Sequence, residues 1–254
     1  MLIEFFGLPG SGKSSISRQV AKMLVVQGLQ VDEITYDIDH RHRRPARLLF
    51  KLVRFARYAG TKPRQALFLW AKLAATRQET MYDLAREAMN CMFIASLAPR
   101  RGLDGKITLL DQGIAQALWS VGYAARHEAW LDLVLDGCEQ AVVEPDMVIH
   151  VRAGIQTIRT RLSRRNPHVS RLEHDLGSDD HPLLIAQANS DAVLSRLAAR
   201  GIAIVEVSND HPEQLDLNAQ LVASTITLML RRERALRPQQ ASLIPMGAPS
   251  AECR

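Results

Sequence analysis

The chain has 254 residues, 47% of them hydrophobic and 23% charged, with a formal net charge of +5. This is an ordinary globular composition, long enough for one sizeable core with insertions. Three cysteines, Cys91, Cys138 and Cys253, are too few and too scattered for a disulfide framework or a zinc site, so a reducing cytoplasm is the expected compartment. No apolar run approaches the ~20 residues of a membrane span. The N-terminus lacks a basic region followed by a long apolar stretch, and cleavage there would remove a glycine-rich loop at residue 7, so no signal peptide is expected.

In chain order, LIEFF (2–6) reads as a buried strand with Glu4 as its only charge. GLPGSGKSS (7–15) follows and opens a helix in which Ile16, Val20, Met23 and Leu24 recur at helical spacing, with Gly28 as its stop. VDEITYDID (31–39) reads as a second strand, and 43–98 is helical, punctuated by AGTKP at 59–63. KITLL (106–110) is a third strand ending at Asp111. Residues 114–140 read as helix interrupted near Gly122. DMVIHV (146–151) is a fourth strand, 154–165 a helix running into a loop with Pro167 and His168, and 182–200 a helix closed by Gly201. IAIVEV (202–207) is a fifth strand, 212–231 an amphipathic helix, and 237–254 a proline- and glycine-containing tail expected to be poorly ordered. Strands separated by helices predict a three-layer α/β fold: a five-stranded parallel sheet with helices on both faces and a helical insertion after strand two. Residues 1–236 are expected to form one domain. Ligands on such sheets bind beyond the C-terminal strand ends, where the loop at 7–15, Asp37, Asp39, Asp111 and residues 208–210 all fall.

The loop matches G-x-x-x-x-G-K-[ST] through Gly7, Gly12, Lys13 and Ser14. Strand, glycine loop and helix together make a phosphate cradle. Gly7, Pro9, Gly10, Ser11, Gly12, Lys13, Ser14 and Ser15 are its expected nucleotide-binding residues. Their backbone N–H groups and the helix N-terminus attract anions. Lys13 reaches the β- and γ-phosphates, and the Ser14 hydroxyl ligates Mg²⁺. Asp111 ends its strand as a carboxylate that holds Mg²⁺ directly or through water, or caps the helix that follows. Asp37 and Asp39 share one face of an extended chain. They read either as acceptor-activating carboxylates or as solvated partners of Arg41 and Arg43. Arg161 and Arg165 lie one helical turn apart, and Arg171 lies beyond Pro167. They read as a cluster that stabilises transferring phosphoryl charge or as a solvated face. Arg44, Arg47, Lys51, Arg54 and Arg57 form a basic stripe, with a solvated face, a clamp for an anionic acceptor, and a membrane or nucleic-acid surface as its readings in that order. With 5% aromatic residues, stacking platforms for nucleic acid are scarce.

At these motifs the chain resembles P-loop kinases of nucleotides and small molecules, and most of all the thymidylate-kinase-like branch. GLPGSGKSS resembles the Walker A loop, and LLDQG the Asp-Arg pair after the third strand. EPDMVIHVRAGIQTIRTRLSRRN resembles the fourth strand and the helix leading to the lid, and SRLE (170–173) the lid's Asp-Arg-x-Glu. YDID resembles the acceptor-site aspartates of shikimate, gluconate and uridine kinases and of chloramphenicol phosphotransferase. The likeness spans roughly 1–40 and 105–210 and leaves 41–100 unmatched. It implies an ATP- and Mg²⁺-dependent kinase with an acceptor lobe at about 41–100 and a lid at about 160–175. The implied roles are Lys13 on the phosphates, Ser14 and Asp111 on the metal, Asp37 at the acceptor hydroxyl, Arg161, Arg165 and Arg171 on the developing charge, and Asp39, Arg44 and Gln112 at the acceptor. Gln112 stands where thymidylate kinases carry arginine, and Ser170 replaces the lid aspartate. The first departure weakens the case for a nucleoside monophosphate acceptor and favours an unphosphorylated hydroxyl on a sugar, nucleoside or related metabolite; the basic stripe pulls towards an anionic one. A nucleoside monophosphate kinase and a non-kinase P-loop NTPase are the alternatives. The expected partner is the small-molecule acceptor; a homodimer is also considered, and a membrane surface is not favoured.

Overall fold

The computed structural model describes residues 1–35, 44–97, 106–139, 144–164, 171–175 and 180–241. Five strands, β1 (Leu2–Phe6), β2 (Val31–Asp32), β3 (Ile107–Leu110), β4 (Met147–Arg152) and β5 (Ala203–Ser208), form one sheet in the order β2-β3-β1-β4-β5. Every neighbouring pair is parallel, as the alternation of strands and helices predicts. The helices are α1 (Lys13–Val26), α2 (Arg44–Thr61), α3 (Pro63–Ala75), α4 (Met81–Leu97), α5 (Ile114–Ala124), α6 (Trp130–Glu139), α7 (Ile155–Ser163), α8 (Arg171–Asp175), α9 (His181–Ala199) and α10 (Gln214–Ala241).

β1 and β3 are buried along their whole length, which is why they read as continuous apolar runs. Alternation across the pleat splits β1 between two cores. Ile3 and Phe5 join Ile16, Val20 and Leu24 of α1 and Val222 and Ile226 of α10. Phe6 joins the opposite layer, with Leu69 of α3, Ala88 of α4, Leu118 of α5 and Val193 of α9. α1 ends where the sequence places its stop: Gly28 adopts φ +79° and donates its N–H to Val25 O at 2.9 Å. α3 starts with Pro63 at its first turn, where a missing N–H costs nothing.

Three expectations change, and one holds with its position shifted. β2 is a strand only at Val31–Asp32, and Ile34 and Thr35 are helical; the anticipated remainder, 36–39, lies outside the described residues. The break expected near Gly122 falls at 125–129, between α5 and α6. A Cβ at Gly122 would lie 2.3 Å from Trp130 Cζ2, so the glycine admits the Trp130 ring, and the helix ends at Ala124, followed by Ala125, whose extended backbone bridges to Gln78. α10 runs to Ala241, into the segment expected to be tail; 242–254 lie outside the described residues. The amphipathicity of α2 is turned round. Lys51 lies 5.3 Å from the centre of the Phe93 ring, Arg54 lies 5.4 Å from that of Phe50 and donates to Ser96 O at 3.4 Å, and Tyr58 is buried. Leu48, Leu49, Leu52 and Val53 are the exposed side. Lys51 and Arg54 spread their stems and charge over aromatic rings, while Arg57 is exposed and the side chains of Arg44 and Arg47 lie outside the described residues.

Candidate active site

The glycine loop sits at the C-terminal edge of β1, between β3 and β4. Gly10 and Gly12 take φ +87° and +94°, which L side chains rarely adopt. At Gly12 a Cβ would also lie 2.2 Å from Asn209 Nδ2. Gly7 has no room either: a Cβ would lie 2.4 Å from Val151 O. The loop closes on itself through Ser11 N–H to Leu8 O at 3.0 Å and enters α1 through the N–H groups of Ser15 and Ile16 to Gly12 O at 3.1 Å. Lys13 and Ser14, the first residues of α1, are half-buried, and Ser15 is exposed.

Two side chains from far along the chain brace this loop. Asn209 Nδ2 donates to Ser11 O at 2.7 Å. Arg161 Nη1 donates to Gly10 O at 3.3 Å and Ser11 O at 3.2 Å, while its Nη2 donates to Asp210 O at 3.3 Å. Arg161, expected on the phosphoryl charge, therefore ties the loop to the segment after β5. Asp210 joins that segment to α7: its Oδ1 accepts the Gly154 N–H at 2.6 Å, which holds the Asp210 carboxyl below its ordinary range. Of residues 208–210, Asn209 thus touches the phosphate loop directly and Asp210 is linked to it through Arg161.

Asp111 follows β3 and is buried. Ser14 Oγ donates to Asp111 Oδ2 at 2.7 Å. Asp111 N–H donates to Thr35 Oγ1 at 2.8 Å. Asp111 Oδ1 is buried with no hydrogen-bond partner. A hydroxyl and a carboxylate with one open oxygen, at a helix N-terminus, are hard oxygen donors of the kind Mg²⁺ takes, so Ser14 and Asp111 fit a metal held at the phosphates. Gln112 is exposed beside them. Asp37, Asp39 and Arg165 lie outside the described residues. The backbone of Arg171 opens α8, but its side chain, like that of Arg44, lies outside them.

Beneath this pair is a residue with no expected role. Glu4 is fully buried, and its carboxylate accepts N–H groups from Gly113 at 3.1 Å, Ala115 at 3.1 Å and Gln116 at 3.0 Å. It satisfies the first turn of α5, the helix that Asp111 leads into. Burial raises the Glu4 carboxyl, the N–H groups hold it back, and it settles at about 7. A single charge inside an apolar strand was the only sequence signal for Glu4. Asn209 and Thr35 gave no signal of their own, because what defines them is a contact with a distant backbone.

No protein-family model matches the chain, and no curated protein does. Solved structures do. A deoxyadenosine kinase from M. mycoides, solved with dCMP and dCDP, superposes with a TM-score of 0.52 at 14% identity, covering 90% of this chain and 100% of that one. A thymidylate kinase from Ehrlichia chaffeensis is a looser likeness, with a TM-score of 0.48 at 12% identity, over 89% of this chain and 98% of that one. The chain shares its fold, a five-stranded parallel sheet with helices around it, with the deoxyadenosine kinase, a P-loop nucleotide kinase.

Proposed function

We propose that the protein is an ATP- and Mg²⁺-dependent kinase that transfers the γ-phosphoryl group to a hydroxyl of a small molecule, with nucleosides first among the sugars, nucleosides and related metabolites considered. The observation that carries this reading is the 2.7 Å contact of Ser14 with Asp111 at the mouth of a glycine cradle, with Asp111 Oδ1 left open. Two further features favour an unphosphorylated acceptor: Gln112 replaces the cation of the thymidylate-kinase pattern, and the solved deoxyadenosine kinase shares the fold over its whole length.

In this reading Ser14 and Asp111 hold Mg²⁺, which offsets charge on the phosphates when bound. The N–H groups of the loop and Lys13 orient the β- and γ-phosphates. Asp37 takes the proton of the acceptor hydroxyl as its oxygen bonds to the γ-phosphorus and the β–γ bridging bond breaks, releasing ADP. Thr35, two residues before Asp37 in the sequence, accepts the Asp111 N–H. Arg161, Arg165 and Arg171 supply cations for the transferring group, Arg161 from its place against the loop.

The test is transfer from γ-labelled ATP to a panel of nucleosides, sugars and nucleoside monophosphates, with product identified by mass. Little hydrolysis alone and strong turnover with one nucleoside class is the expected result. Asp37→Asn should keep Mg²⁺–ATP binding and cut transfer about 100-fold or more. Hydrolysis that no acceptor stimulates would make the protein a P-loop NTPase of another kind.

A further inference from the structure

Helices α2 and α3 form a hairpin whose composition stands apart from the rest of the chain. Residues 44–78 carry nine lysines and arginines and no aspartate or glutamate, whereas the remaining residues are net acidic. The hairpin also concentrates exposed apolar side chains: Leu48, Leu49, Leu52 and Val53 of α2, and Leu67 and Phe68 of α3. On α2, Leu49, Val53 and Arg57 recur at steps of four, and Leu48, Leu52 and Ala56 form the row next to them. Every member of both rows is exposed. The opposite face holds the helix to the lobe: Lys51 lies against the Phe93 ring of α4, Arg54 donates to Ser96 O, and Tyr58 is buried. The outward leucines contribute nothing to that core. Arg57, Lys62 and Arg64, all exposed, fall where α2 passes into α3.

We propose that this hairpin docks on an anionic lipid surface, with the leucine rows of α2 in the boundary between headgroups and acyl chains and Arg57, Lys62 and Arg64 among the lipid phosphates. Two properties of the face select this occupant. The leucines exclude a purely ionic partner, because a nucleic-acid backbone or a soluble anion would engage the cations and leave the apolar rows in water. The charge excludes a second copy, because a two-fold pairing of hairpin on hairpin sets cations against cations with no acid to answer them. A bilayer surface with acidic headgroups meets both demands. It takes up the apolar rows by the hydrophobic effect and the cations by its negative surface potential, as amphipathic helices lying in the membrane plane do. The 18 residues of α2 give about 27 Å of helix to lie along it. Among the described residues no helix is long and apolar enough to cross a membrane, so the contact is peripheral. The phosphate loop, Ser14 and Asp111 are not part of this face, and the proposal stands independently of the activity.

Co-sedimentation of the full chain with vesicles of phosphatidylcholine, with and without phosphatidylglycerol, tests this. The expected result is binding to the mixed vesicles, little binding to pure phosphatidylcholine, and release as salt screens the charge. Leu49→Asp and Leu52→Asp, at exposed positions, should leave the melting curve unchanged and each weaken vesicle binding about 10-fold or more, the scale of one leucine kept out of the apolar phase. Arg57→Ala and Arg64→Ala should each weaken it about fivefold, the scale of one cation at an anionic surface. Leu221→Asp, at an exposed position of α10, should leave it intact. No binding to the mixed vesicles, equal binding to both kinds, binding indifferent to Leu49→Asp, or binding lost with Leu221→Asp would each overturn the proposal. So would self-association abolished by Leu49→Asp, which would give the face to a second copy, or duplex DNA that strips the protein from the mixed vesicles, which would give it to nucleic acid.

Discussion

Glu4 and Asp111 stand on neighbouring strands, with Glu4 in register with Leu110, and both are buried beside the phosphate loop. Their hydrogen bonding differs. Glu4 spends its carboxylate on three backbone N–H groups of the α5 entrance. Asp111 accepts from Ser14 on one oxygen and keeps the other without a partner. A buried carboxylate whose oxygens accept backbone N–H groups works for the fold. One with an oxygen left without a partner at the mouth of an anion cradle costs stability that the fold does not recover. The two residues also act on the same element from opposite sides, since the helix that Glu4 caps is the one that Asp111 leads into.

The contrast breaks most sharply at Asp111. Asp111→Asn should reduce Mg²⁺-dependent transfer about 100-fold or more, because a metal contact is worth several kcal/mol. Its melting temperature should stay close to that of the wild type, since Asn keeps the size and can still accept from Ser14. A Mg²⁺ titration of the rate beside a thermal melt measures both; unchanged Mg²⁺ dependence would move Asp111 into the structural class with Glu4. Next in size is Gly113→Ala. A Cβ there would lie 2.5 Å from Glu4 Cδ and 2.6 Å from Oε2, so the carboxylate or the helix must shift. Overpacking of this kind costs about 1–3 kcal/mol, read as a lower midpoint in urea.

Glu4 carries its own pH signature. Its carboxyl rises from 4.5 to about 7 on folding, so between those values the folded chain holds a proton that the unfolded chain releases. The contribution of Glu4 to stability is therefore fully present below pH 4.5 and is lost as pH rises towards 7. Glu4→Gln should flatten that limb in melts recorded from pH 4.5 to 8. An unchanged pH profile would show that the carboxyl titrates normally. The smallest effect belongs to Thr35→Val. It removes the acceptor for the Asp111 N–H and should cost about 1 kcal/mol of stability, with a modest loss of transfer because the Asp111 backbone loosens. A stability loss with transfer untouched would separate Thr35 from the site.

Much of the architecture was legible along the chain because its signals are local. Apolar runs bounded by glycine and proline placed β1, β3, β4 and β5 to within a residue or so. The spacing of Gly7, Gly12, Lys13 and Ser14 placed the cradle, and a carboxylate ending an apolar strand marked Asp111. Residues 31–39 were harder: their alternation reads as strand, but of the described residues 31–35 only Val31 and Asp32 find a partner in β3, and pairing is a property of two segments. The break expected near Gly122 falls at 125–129, and the glycine itself makes room for the Trp130 ring.

The sequence by itself determined the order of strands and helices, the glycine-rich loop and the carboxylate that ends β3, since each rests on residues within one turn or one strand. Tertiary structure alone decided that Glu4 caps α5, that Arg161 and Asn209 brace the loop, and that the leucines of α2 face outward while Lys51 and Arg54 cover aromatic rings. Glu4, Arg161 and Asn209 reach backbone groups more than a hundred residues away. An amphipathic pattern fixes which residues share a face, but only the neighbouring elements decide which face is covered.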